Sequence, residues 1–503
     1  MKMNIPLLFH TISHLKPTQV YHQVRNKLIK PRFVEVKASE LTVCNLDKSP
    51  IAKFQCYSNG CFSFLNICSK FNGWSDMTNG ALWAYNLNYF EWIEQMSVED
   101  ACKWIDKYID DFPSNKIGQD PYPTALRTLN WVKFFANHPE CLTQERCDSL
   151  YSQYVLLEKR LEYHLLGNHI LEDAFALVVG AVVFMDGRLW RKSSKLLKKC
   201  LEEQTLADGA NYEQSPMYHC ILLDRLLDVI NVSQSNTRFA DQKEYNDSLK
   251  AVVKKMLGHL ENMRWSDGSI PMLNDSAYGI APVPSDIFDY ARRLGLDWEA
   301  IPLRECGYRY LSNRSFEVFI DAGNVTAKDQ PSHTHADALS YELRINGKPI
   351  AIDTGISTYN KTERRQYERG SKAHNCVVVE DKDSSEVWAG FRVGKRCKVK
   401  IEKENAMSVQ AVHDGYARPC RRQFSLSDDK FEIDDYYDGE AVSYIHLAPG
   451  VDKSVVKISG ADKVEVISEK ASTEYNRFED IQVLKIHFRN KLHYEYTLSD
   501  ILL

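Results

Sequence analysis

Apolar positions recur with helical spacing up to about residue 300 and with alternating spacing after it. In the first part, residues 96–110, 124–137, 148–165, 170–185, 215–230 and 246–263 carry the i, i+3, i+4 pattern of α-helices. Polar or Gly/Pro-rich loops such as DFPSNKIGQDPYP and SDGSIP join them. Several of these segments are apolar on nearly every side, which predicts inner helices of a layered helical domain. The longest apolar run, 174–185, is too short to cross a bilayer and reads as a buried helix. In SYELRINGKPIAIDTG, Leu343 and Ile345 alternate, the chain turns at Asn346-Gly347, and Ile350 and Ile352 alternate again. That is the pattern of a β-hairpin. Residues 397–401, 430–436, 463–467, 482–488 and 492–498 repeat the strand pattern. An all-α part followed by an all-β part predicts an α+β multidomain protein. The boundaries read as a loosely packed lead-in over 1–45 containing Pro17 and Pro31, a helical domain over 46–303 and a β-domain over 304–503.

Bulk properties narrow the partners. The chain has 503 residues, more than one ordinary core requires, and a formal net charge of -5. No global basic field is present, so nucleic acid is not the expected partner, and an acidic polymer would need a local basic patch. Thirteen cysteines, an odd number without CxxC pairs, fit reduced thiols better than a disulfide framework. The opening MKMNIPLLFHTISHLK makes a poor signal peptide, so a cytoplasmic location is expected, with periplasmic or secreted as the alternative. No membrane span is expected.

Four strings carry chemistry. Gly167-Asn168-His169-Ile170-Leu171-Glu172 precedes an apolar helix. Asn168 suits its N-cap, which puts His169 and Glu172 in the first turn. Alone, the string favours the plainer reading of an N-cap and a satisfied histidine. In DGANYEQSPMYH, Ser215 and Pro216 mark a helix start, so Tyr218 also lies in a first turn. A helix N-terminus there favours a phenolate or a bound carboxylate, and a tyrosine merely packed at a helix end is the alternative. In SHTHAD, His333 and His335 would share one face of a strand and converge. With Asp353 and His374 they suit a zinc-like ion. The fourth is KTERRQYERGSK, 361–372, followed by Arg392 and Arg396 and flanked by Tyr359 and Trp388. It is a solvated loop, or a site for carboxylate clamping and sugar stacking.

In combination, GNHILEDAFAL, DGANYEQSPMYH, SDGSIPMLNDSA, HTHADALSYEL, AIDTGISTY, RRQYERGSKAHN and SEVWAGFRVGKR resemble the heparinase II/III family of polysaccharide lyases. PYPTALRTLNW and YNLNYFEW resemble the members found beside surface-polysaccharide genes. The resemblance spans roughly residues 80–400. It implies an incomplete α/α toroid followed by an antiparallel β-sandwich domain, and cleavage of a uronate-containing polysaccharide by β-elimination. Asn168 and His169 would neutralise or position the uronate carboxylate, Tyr218 would give or take a proton, and His333 would be a second acid/base. Arg127, Glu172, Tyr359, Arg365, Arg369 and Trp388 would contact or support the substrate. His335, Asp353 and His374 would hold a divalent metal, zinc in members that bind it, in a structural role. The residue types suit the reaction, because a proton α to an ionised carboxylate is acidic only once that charge is neutralised. A tyrosine, of ordinary pKa roughly 10, is a base only where its surroundings favour the phenolate. Two other readings stay open: a metal-dependent hydrolase, since H-x-H-x-D opens some hydrolase sites, and a non-catalytic polysaccharide-binding or assembly factor.

Overall fold

The computed structural model describes residues 5–38 and 44–501. Of the expected lead-in over 1–45, residues 1–4 and 39–43 therefore lie outside the described residues. The rest forms two helices, α1 (Ile5–Ile12) and α2 (Pro17–Leu28). They are pinned rather than loose. Gln19, fully buried, donates to the carbonyls of Leu165 and Asp329 at 3.2 and 3.1 Å, and His10 pairs with Glu386 at 2.8 Å.

A small antiparallel sheet, β1 (Tyr57–Ser58), β2 (Cys61–Phe64) and β3 (Ile67–Lys70), opens the helical domain. Nine helices follow: α3 (Ala81–Tyr89), α4 (Val98–Asp111), α5 (Pro121–Asn137), α6 (Gln144–Arg160), α7 (Gly167–Val183), α8 (Gly187–Gln204), α9 (Pro216–Ser235), α10 (Gln242–Asn262) and α11 (Pro284–Arg293). The six expected helices are α4 to α7, α9 and α10, each within a few residues of its predicted ends. Every residue of α7 except His169 is buried. Burial on all sides is why its sequence is apolar all round.

The β-domain holds two packed antiparallel sheets. One runs in the order β4 (Tyr308–Ser312), β5 (Phe316–Asp321), β6 (Tyr341–Ile345), β7 (Lys348–Ala351). Asn346 and Gly347, both at positive φ, make the tight turn expected between β6 and β7. After the short helix α12 (Glu363–Glu368), β8 (Val377–Val378) pairs onto the second sheet, and β9 (Val387–Trp388) with β10 (Arg392–Val393) forms a separate ribbon. The second sheet comprises β11 (Val399–Asn405), β12 (Ser408–His413), β13 (Cys420–Leu426), β14 (Lys430–His446), β16 (Glu479–Thr497) and β15 (Lys457–Ala471), in that order. Val318 and Leu343 of the first sheet share a core with Phe424, Phe431 and Ile486 of the second. The two strands expected at 482–488 and 492–498 are one, β16. Polar Arg489 and Asn490 break the pattern, yet both pair with β14, whose bulge within 437–440 lies opposite them.

None of the thirteen cysteines, all among the described residues, is in a disulfide. Among the described residues, no helix is long and apolar enough to cross a membrane.

Candidate active site

Two helix starts and one loop build the site. At α9, Ser215 Oγ caps the helix by accepting from the Tyr218 amide at 3.2 Å, which fixes Tyr218 in the first turn as expected. At α7 the expected cap is displaced. The helix begins at Gly167, so Asn168 lies inside the first turn and Leu166 holds the cap position, at φ 66° and ψ -150°. That region suits glycine and is strained for leucine. A side chain on Gly167 would collide with the Glu213 carboxylate. Freed from capping, the Asn168 amide donates to Glu213 Oε2 at 2.9 Å and lies 3.2 Å from His333 Nε2.

His333 and His335 do converge, though not on a strand. They sit in the irregular loop between β5 and β6, and the two oxygens of Asp275 gather them: His333 Nδ1 at 2.9 Å and His335 Nε2 at 2.8 Å. His333 Nε2 also faces Glu213 at 3.2 Å. Burial disfavours the His333 imidazolium, but the two carboxylates outweigh burial and raise its pKa to about 9. Its ring stacks on Tyr218 with centroids 3.9 Å apart. Tyr359 donates to the Tyr218 hydroxyl at 3.3 Å. That bond favours the phenolate, yet burial together with Asp275 and Glu213 holds the Tyr218 pKa above its ordinary value. The expected phenolate is therefore not the resting form. His169 sits at the same wall, half-buried, with Nδ1 2.8 Å from Glu162. Burial opposes its charge, and Glu162 more than compensates, so its pKa is raised.

Asn168, His169, Tyr218, His333 and Tyr359 all line one cleft of about 780 Å³, beside Tyr85, Tyr89, Tyr122, Tyr278 and Tyr475. The cleft runs between the toroid and the β-domain. Tyrosines at this density suit the faces and hydroxyls of sugar rings.

The remaining substrate contacts expected from the sequence lie elsewhere. Arg127 is fully buried in the toroid, donating to Gln153 and to the carbonyls of Asn88 and Gly118, with Tyr108 under its guanidinium. Arg365 is equally buried and makes two bonds to Asp275, at 2.5 and 2.7 Å. Arg369 donates to the carbonyl of Thr334 and so braces the His333 loop. Trp388 spends its indole N–H on Thr11 of α1, at 3.1 Å. Glu172 is near neither the histidines of the loop nor the metal candidates. It is buried beside Arg225, 3.8 Å away, and burial raises its pKa to about 7. Only Tyr359 of that group reaches the cleft.

Two central residues escaped the sequence reading. Asp275 collects His333, His335 and Arg365 on one buried carboxylate. Burial alone would raise its pKa, but Arg365 first and then the histidines drive it well below the usual range. Glu213 ties Asn168 to His333. Both stand inside strings that carry the resemblance, SDGSIPMLNDSA and DGANYEQSPMYH, which was the available signal.

Behind the cleft wall, donor atoms of His335, Asp337 and His374 lie within 4.8 Å of one another. Asp353, the expected carboxylate ligand, approaches His374 Nδ1 at 2.6 Å and accepts from the Gly355 amide. Asp337, not expected, completes the cluster. His335 Nδ1, His374 Nε2 and Asp337 Oδ2 are buried without a hydrogen-bond partner. Such a set of orphaned nitrogen and oxygen donors fits a divalent ion of the zinc type. None of the four residues lines the cleft.

A toroid joined to a β-sandwich, with a Tyr–His–Asn wall in the groove between them, defines a polysaccharide-lyase-like architecture. The profile described as "Heparinase II/III N-terminus" matches residues 139–292, and that described as "Heparinase II/III-like, C-terminal" matches residues 296–495. The chain belongs to the heparinase II/III-like family. It is 22% identical over 405 residues to the heparin-sulfate lyase of Pedobacter heparinus, across 70% of this chain and 60% of that protein. The chain thus spans about 60% of the length of that relative. Among solved structures, a heparinase III aligns with TM-score 0.65 and 14% identity over 94% of this chain and 88% of that one. A mutant of the heparan sulfate lyase HepC of Pedobacter heparinus aligns with TM-score 0.58 and 16% identity, over 95% and 87%. At these identities the structural likeness is one of fold.

Proposed function

We propose that the protein is a polysaccharide lyase that cleaves a uronate-containing polymer by β-elimination in the cleft between its domains. One observation carries the reading: Tyr218 stacks on His333 at 3.9 Å, and the Asn168 amide lies 3.2 Å from the same imidazole, on one solvent-accessible wall. Asn168 and His169 would neutralise the uronate carboxylate, so that the C5 proton becomes removable. His333, the second acid/base, would take the C5 proton in its neutral form, and Tyr218 would be the proton-transfer residue at the leaving group. Its resting phenol is the form that gives a proton to the departing glycosidic oxygen. Membership of a family whose similar proteins include a heparin-sulfate lyase supports the reaction class.

The metal cluster favours a lyase over a hydrolase, because its donors are walled off from the cleft and could not present an activated water to substrate there. A divalent ion held by His335, His374 and Asp337 or Asp353 would stiffen the loop that carries His333. A stoichiometric divalent metal is expected in the purified protein, and its removal by chelator should lower the melting temperature. Metal-free protein with an unchanged melt would refute that role.

The test of the reaction is absorbance from the unsaturated uronate product. Wild-type protein should generate it from a uronate polysaccharide. Tyr218→Phe should slow it by about 10²- to 10⁴-fold with the melt unchanged. New reducing ends without the chromophore would identify a hydrolase instead.

A further inference from the structure

Helix α2 is amphipathic with its faces reversed. At about 100° per residue, Gln19, His22 and Asn26 share one side. That polar side faces the protein: Gln19 bonds Leu165 and Asp329, Asn26 meets His164 at 3.3 Å, and the His22 ring lies 4.9 Å from Tyr163. The other side carries Val20, Tyr21, Val24 and Leu28, all exposed, Leu28 by 79%. They form one stripe about 100° wide, the width of a face that ordinarily turns to a core. Ile29 and Val34, which follow the helix, and Phe9 and Ile12 of α1 are exposed apolar side chains as well, Phe9 by 70%.

Charge says what the stripe fits. Residues 5–34 contain five Lys/Arg and no Asp/Glu, in a chain whose net charge is -5. On the helix, Arg25 and Lys27 border the apolar stripe on its two sides, and exposed Lys30 and Arg32 follow directly. An apolar stripe edged by long cations matches a lipid interface, where the stripe enters the acyl boundary and the cations reach the phosphates. An isolated apolar patch of this extent on a protein surface marks an interaction site. We infer that α1 and α2 form a docking surface for an anionic membrane, holding the protein at the bilayer by its outward face. This goes beyond the lyase reading and does not depend on it.

The experiment is vesicle flotation with the full chain. The protein should float with vesicles containing phosphatidylglycerol and stay in solution with phosphatidylcholine alone. Val24→Glu combined with Leu28→Glu should abolish flotation. Lys27→Gln with Lys30→Gln, which touches no packing, should weaken it by about fivefold per cation removed. Circular dichroism and melting of both variants should match wild type, since all four side chains are exposed. The proposal is overturned if wild type fails to float, or if the Glu variant floats equally. It is also overturned if sedimentation shows a dimer that the Glu variant splits, for then a second copy covers the stripe.

Discussion

Glu172, expected to support the substrate site, is buried in the helical domain beside Arg225. Neither of its carboxylate oxygens has a hydrogen-bond partner, and burial raises its pKa from the ordinary carboxylate range to about 7, with Arg225 only partly offsetting the effect. Below the ordinary carboxylate pKa the group is neutral in both folded and unfolded chains and costs nothing. As pH rises from there to about 7, the unfolded chain has lost its proton while the folded chain must keep it, so stability falls across that window. Above it the loss is constant, on the order of 3 kcal/mol for a shift of this size. Glu172→Gln should recover most of that at neutral pH, as a raised denaturant midpoint, and flatten the decline between the two pKa values. A midpoint lowered equally at every pH would show that the ion pair with Arg225 outweighs the burial. Asp275 is the contrasting case. It is buried as deeply, but two guanidinium bonds and two imidazoles satisfy it, and its charge is held rather than suppressed.

At the scale of elements, the site depends on how two helices begin. Ser215 caps α9 and also donates to the Asp275 carbonyl at 2.7 Å, so one hydroxyl sets both the Tyr218 turn and the loop that carries Asp275. Ser215→Ala should cost about 1 kcal/mol in chemical denaturation and lower kcat more than it raises KM, while Ser215→Thr should restore both. An unchanged kcat would mean that the cap does not position Tyr218. Ser215 was readable in the sequence because Ser-Pro before an apolar run is a local signal. The start of α7 was not. Local rules assign the cap to Asn168, but Glu213, distant in the chain, takes its amide, and the strained Leu166 precedes it. The loop of His333 and His335 failed for the same reason. Alternation near β6 suggests a strand, whereas Asp275 and Arg369, both remote in sequence, fix the path. Helix α8 was missed because its stripe of Leu189, Trp190, Leu197 and Leu201 is thin among lysines and arginines. Fold class and the converging histidines were legible. What stayed hidden were the long-range carboxylates, since nothing in a local window shows which acidic residue will be buried.

For the whole molecule, the decisive quantity is the charge that the cleft offers to a polymer. Among the described Lys and Arg residues, only Lys53 and Arg225 line it, and both are already engaged: Lys53 with Asp224 at 2.5 Å, Arg225 with Glu91 at 2.7 Å. Asp286 and Glu474 also line the cleft, while Arg127, Arg365 and Arg369, expected to contact the substrate, are buried outside it. Lining carboxylates therefore outnumber lining Lys and Arg. Sulfate groups need unspent Arg or Lys, and like charges in a partly enclosed groove repel more strongly than in water. On the proposed reading a uronate carboxylate, one charge met by Asn168 and His169, would be accommodated, and a densely sulfated chain would not. At matched uronate concentration, an unsulfated uronate–hexosamine polymer should be cleaved with kcat/KM at least about tenfold above its chemically sulfated counterpart, the lower end of what a charged cleft does to association. Asp286 is exposed at the rim, away from the reacting groups, so Asp286→Lys should narrow the difference by raising only the sulfated rate. Added salt should narrow it as well, by screening the repulsion. Equal rates on the two polymers, or faster cleavage of the sulfated one, would show that binding energy comes from cations outside the cleft and that the charge of its lining does not select the substrate.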